Sequence, residues 1–213
     1  MSKLITLLLL SCISIPSLAS EAKLENIQVM TDVQTVERGA EALMTDCHSC
    51  HSLKYIRYRD LVNYGVDKGK VDAWRGDLTM DAAVMAQMAE ADSELAFGKA
   101  PPDLSLIAKA REGGASYIYS YLVGYFISSD GMLGNHYFPE TKMPDVLGIS
   151  GASNEKERAE IQSKARDIVA FMVWAADPNG PERIRLGYYV IAYLIVLTTL
   201  LYFVKNQVWS RLK

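Results

Sequence analysis

The sequence predicts a mainly α-helical head joined to a single membrane-spanning helix at its C-terminal end. Three observations predict it. Apolar residues recur at helical spacing in several stretches of the head, most clearly at Val33, Val36, Ala40 and Leu43. From Leu186 to Val204 no charged residue occurs in a run dominated by Leu, Ile, Val, Tyr and Phe. At about 1.5 Å per residue that run comes close to the hydrocarbon thickness of a bilayer. The third observation is Cys47-His48-Ser49-Cys50-His51, two thiols one helical turn apart with an imidazole directly after them.

That pattern fits covalent attachment of one c-type haem. Each thiol adds across one vinyl group, and His51 is then placed under the iron as its proximal ligand. A Cys47–Cys50 disulfide and a zinc site recruiting His48 are the alternatives. Zinc needs a further ligand, and the chain holds only three cysteines and three histidines. Cys12 falls in the leader and His136 lies far downstream.

Residues 1–19 read as a secretory signal: Lys3, an apolar run from Leu4 to Leu10, Pro16, then the small-residue site Ser17-Leu18-Ala19. Leu9-Leu10-Ser11-Cys12 offers a weaker lipoprotein alternative. Export agrees with the haem motif, because covalent attachment belongs on the outer side of a bacterial inner membrane or its organellar equivalent. The division expected is a periplasmic head over 20–181, an anchor over 182–205 and a cytoplasmic tail over 206–213. Tyr188, Tyr189, Tyr202 and Trp209 stand where interfacial aromatics belong. Lys205, Arg211 and Lys213, with no acid after them, put the tail in the cytoplasm. Between Ser20 and Arg185, 25 acids face 18 bases. An acidic head argues against nucleic acid and for a basic partner met by electrostatic steering, with solubility as the alternative use of that charge.

In chain order, Ala22 to Thr31 reads as an extended lead-in. Asp32 is an N-cap for the first helix, whose apolar stripe runs on to Cys47. Gly39 inside it costs about 1 kcal/mol against alanine, which a close crossing would explain. Tyr55, Tyr58, Leu61, Val62 and Tyr64 recur near helical spacing, and Gly65 to Lys70 reads as a loop. An amphipathic helix is expected over Met80 to Leu95, with Met85 and Met88 filling core or interface. Gly98 to Leu104 is a stiff turn feeding a helix that Asp103 serves. Gly113-Gly114 breaks the chain before a tyrosine-rich helix from Tyr117 to Tyr125. Ser128 to Pro144 is long and irregular, as functional loops are. Asn154 and Glu157 form a capping box for a helix to about Ala176, and Asp177-Pro178-Asn179-Gly180-Pro181 stops it.

A sixth ligand for the iron has to come from outside the proximal segment. Met143, held by Pro144, suits the role, since a soft thioether favours ferrous iron. Met132 and His136 are its competitors. Met132 sits between Gly131 and Leu133 with little to hold it, and Asn135 and Tyr137 beside His136 suggest a surface role.

Taken together, these blocks resemble the cytochrome c1 family, the haem-bearing subunit of ubiquinol–cytochrome c reductase. The likeness rests on Glu37-Arg38-Gly39, Cys47 to Ser52, Tyr55 to Leu61, Ala100 to Ser105, Ala110-Arg111 and Gly113-Gly114. Tyr117 to Tyr125, Met143-Pro144, Trp174-Ala175-Ala176 and the C-terminal anchor complete it. The resemblance implies a class I cytochrome c fold with Met143 opposite His51, and a crossing of the first and last head helices with Gly39 near Phe171. It places Pro101, Pro102, Arg111 and Tyr117 along the haem, with Arg111 meeting a propionate. It also implies cytochrome b and the Rieske iron–sulfur protein as partners, and electron transfer to a soluble or membrane-bound cytochrome c. The stretch between Tyr64 and Gly98 is shorter than in mitochondrial members and lacks their acidic insertion, which leaves the docking surface for soluble cytochrome c open. A rival of another class is a c-type haem subunit of an oxidase or peroxidase. That needs an open sixth position and a distal acid–base group, for which His136 is the only histidine at hand.

Overall fold

The computed structural model describes residues 23–211, so the leader expected at 1–19 lies outside the described residues. Helix α1 (Val33–Asp46) starts as expected, with Asp32 Oδ1 accepting the Thr35 amide at 3.1 Å. Its buried face, Val36, Gly39, Ala40 and Leu43 among others, packs against a long helix near the end of the head. At Gly39 a Cβ would stand 2.0 Å from the Asp167 carbonyl oxygen and 2.9 Å from Phe171 Cβ. No side chain fits there, so the glycine is required by the close approach of two backbones. The Gly39–Phe171 crossing expected from the sequence is present.

After α1 comes strand β1 (Leu53–Arg57), then helix α2 (Tyr58–Tyr64), which ends at Gly65 in the left-handed region. Gly65 to Lys70 is not all loop: helix α3 (Lys68–Arg75) begins inside it, capped by the Asp67 side chain. The helix expected over Met80 to Leu95 is a larger departure. Strand β2 (Ala83–Val84) pairs antiparallel with β1, and only helix α4 (Glu90–Phe97) is helical. The amides and carbonyls of this segment are taken by distant partners. Met80 and Ala82 carbonyls accept from Arg59 and Tyr58, while the Ala86 amide bonds Ser52 Oγ. Tertiary partners have overridden a local helical pattern. Met85 is exposed rather than packed in the core.

Helix α5 (Ile107–Ala110) follows the proline turn, and helix α6 (Gly114–Val123) carries the tyrosines. The segment thought irregular opens with a hairpin, strands β3 (Tyr125–Ile127) and β4 (Leu133–Asn135). Helix α7 (Glu155–Ala176) is capped by Asn154, which accepts from the Glu157 amide at 2.9 Å, while Glu157 accepts from Ser153. The core lies where the C-terminal half of α7 meets α1 and α6.

Helix α8 (Gly180–Ser210) has a mean hydropathy of 1.9 in its most apolar window and buries only Gly180. Its 31 residues reach about 46 Å, long enough to cross a bilayer, and contain the expected anchor. At its start Asp177 pairs with Arg183 and with Lys109 Nζ at 2.9 Å, and these bonds hold its carboxyl below the ordinary value.

Candidate functional site

The site begins where α1 ends. The amides of Cys50 and His51 bond back to the Cys47 carbonyl at 3.1 and 2.9 Å, so the motif continues as one tight turn. That turn is gripped from outside, the Gln87 and Met88 amides donating to the carbonyls of His48 and Ser49. Both thiols are free. Cys47 is buried, and burial first, then the charge of Asp46, pushes its thiol up to about 12. Among the described residues no group of three or more His, Cys, Asp or Glu side chains is arranged to hold a metal ion.

His51 is oriented by the proline turn. Its Nδ1 lies 2.7 Å from the Pro102 carbonyl, which can only accept. Nδ1 therefore carries the proton and Nε2 keeps a free lone pair. Burial, offset in part by that bond, lowers the imidazole's affinity for a second proton. Pro101-Pro102 stiffens the carbonyl's backbone, and two further contacts set its register. The Leu104 amide donates to Ser52 at 2.9 Å, and Asp103 accepts the amides of Lys54 and Ser105. Asp103 thus ties β1 to the turn rather than capping α5, whose N-cap is Leu106.

Above the motif opens a mainly apolar cleft. The residues expected along the haem line it: Cys47, Cys50, His51, Pro101, Pro102, Arg111, Tyr117 and Met143. Met132 and His136 do not. Met132 is exposed on the hairpin, and the His136 ring stacks on Phe126 at 4.2 Å. Met172 of α7 also lines the cleft, so two thioethers border it. Met172 is buried in the core on a helix, while Met143 is half-buried on a loop held on its far side by Asp145, which accepts the amides of Gly148, Ile149 and Ser150. Arg111 makes no ion pair among the described residues. The donor set fits a covalently held haem: two thiols, an imidazole with Nε2 free, a thioether on another segment, apolar and aromatic walls, and one guanidinium.

Several lining residues gave no individual signal in the sequence. Phe97, Lys99, Ile107, Phe138 and Thr141 are brought in by the fold, with Lys99 Nζ 5.6 Å from the centre of the Phe138 ring. Tyr121 was visible only as part of a tyrosine-rich helix.

Comparison with known proteins adds an independent line. Residues 23–212 match the Cytochrome C1 family. The chain is 31% identical to cytochrome c1 of Allochromatium vinosum, with 99% of each chain covered. It is 33% identical to the mitochondrial cytochrome c1 haem protein of Neurospora crassa, over 85% of this chain and 64% of that one. A Nitrosomonas europaea protein named ammonia monooxygenase gamma subunit is 28% identical over 97% of this chain and 98% of its own.

Proposed function

Because the chain belongs to the cytochrome c1 family, we propose that its head relays single electrons from the Rieske iron–sulfur protein to a cytochrome c within ubiquinol–cytochrome c reductase. The observation that carries the reading is the convergence of both thiols, His51 and Met143 on one apolar cleft. A c-type haem supplies the one-electron couple, and this chain's residues hold and tune it. Cys47 and Cys50 tether it through thioethers, and His51 offers Nε2 to the iron with its other nitrogen fixed by Pro102. Met143, on a separate segment lining the same cleft, would supply a thioether to the iron. Pro102 and Tyr117 wall the ring. Arg111, free of other partners among the described residues, meets a propionate. Cytochrome b is the membrane partner of α8, and the head faces the periplasm of a bacterial inner membrane. The acidic head suits a basic electron acceptor.

Purification of the tagged full chain in mild detergent tests this directly. The expected haemochrome spectrum has one haem per chain, with cytochrome b and quinol-oxidising activity co-purifying. The oxidised protein carries a thioether-to-iron charge-transfer band, which Met143→Leu abolishes and Met172→Leu preserves. The reverse result would assign the ligand to α7. The Nitrosomonas europaea relative, by its name, favours a second reading as a haem subunit of another redox enzyme. Rapid carbon monoxide binding by the reduced native protein would support that reading against ours.

A further inference from the structure

Met143 is held by more than the proline after it. Its amide donates to Thr141 Oγ1 at 3.2 Å. The Thr141 hydroxyl lies 2.5 Å from the Tyr121 phenol, and that phenol lies 3.1 Å from the Tyr125 phenol. Tyr125 returns to the Met143 carbonyl at 3.1 Å. The ring is closed, and both backbone polar atoms of Met143 belong to it.

Tyr125 is the donor toward both the Met143 carbonyl and the Tyr121 oxygen, so its single proton is shared between two acceptors. Between Tyr121 and Thr141 either hydroxyl can donate, and the Thr141 oxygen receives the Met143 amide. The ring is also fastened to the cleft wall. Tyr121 is on α6, stacked on Tyr117 at 6.3 Å and edge-on to Tyr125 at 5.7 Å. Buried Asn135 donates to the Tyr121 carbonyl at 2.8 Å and accepts the amides of Tyr137 and Phe138, pinning the same loop.

We propose that Tyr121, Tyr125 and Thr141 are positioning residues that hold Met143 at the iron through this ring. The proposal rests on Met143 being the sixth ligand. A methionine side chain has three soft rotors, so its aim is secured chiefly by fixing the backbone that carries it. Pro144 confines the residue before it to extended geometry, and the ring supplies the anchorage that proline lacks.

The test uses the full chain, haem-loaded and oxidised, in mild detergent, with added imidazole as a competing ligand. The readout is the imidazole concentration that bleaches half of the charge-transfer band. Tyr125→Phe and Thr141→Val each keep the bulk of the side chain and break the ring. Each lowers that concentration about tenfold, the worth of one or two net hydrogen bonds. Thr141→Ser restores the hydroxyl and the wild-type value. A merely structural role would lower the thermal midpoint of the head and leave imidazole competition unchanged, and that result overturns the proposal. Met143→Leu separates the two ideas. If the band survives it, the ligand assignment falls; if it abolishes the band while both ring variants need wild-type imidazole, the ring alone falls.

Discussion

Gly39 is a single hydrogen where any side chain would collide with the backbone of another helix. Gly39→Ala puts a methyl group 2.0 Å from the Asp167 carbonyl oxygen, so α1 and α7 must part. We expect a loss of about 3 kcal/mol, at the upper end of overpacking costs, read as a fall in the urea midpoint of the head. Next to it, Arg38 makes two bonds to the Asp167 carboxylate but is 57% exposed, and Arg38→Ala should cost less than about 1 kcal/mol. Equal effects would mean that the crossing is not set by backbone contact. At this scale the sequence was readable where chemistry demands neighbours in the chain. Two thiols and an imidazole must be contiguous to serve one haem, and a glycine inside an amphipathic helix announces a cost that something must repay. Thr141 was not readable, because its partner Tyr121 is twenty positions away and a threonine in a loop carries no spacing to interpret.

Elements followed the sequence where their stability is local and departed from it where it is not. Helices α1 and α7 were legible through their caps and long stripes. The stretch from Met80 to Leu95 was not, because its amides donate to the haem motif and its carbonyls accept from the start of α2 instead of bonding within a helix. Asp103 makes the same point in one residue. It looked like a helix cap, and it joins strand β1 to the proline turn by accepting from Lys54 and Ser105. Asp103→Ala leaves both amides without that partner. A loss of about 1–2 kcal/mol is expected, seen as a lower thermal midpoint. Asp103→Asn, which retains an acceptor oxygen, should recover part of it. If alanine and asparagine behave alike, the turn is held by the prolines alone.

For the whole molecule, the orientation expected from Lys205, Arg211 and Lys213 after the apolar run is open to test. Protease added outside intact spheroplasts should cut between Pro178 and Pro181 and release a coloured head, leaving α8 in the membrane. Full protection would put the head on the other side. Fold class, anchor and cofactor were all visible in the sequence, because each is written as a long pattern or a compact motif. The shape of the cleft was not, since its walls come from α5, α6, α7 and the loop around Met143, which meet only after folding.

The passage from head to anchor is short. Helix α7 ends at Ala176 and α8 starts at Gly180, so the strand of chain between them reaches about 10 Å at full stretch. Arg183 from one side and Lys109 from the other clasp Asp177 at that point. So short a tether keeps the head within about 10 Å of the start of α8 and couples the end of α7 directly to the membrane helix.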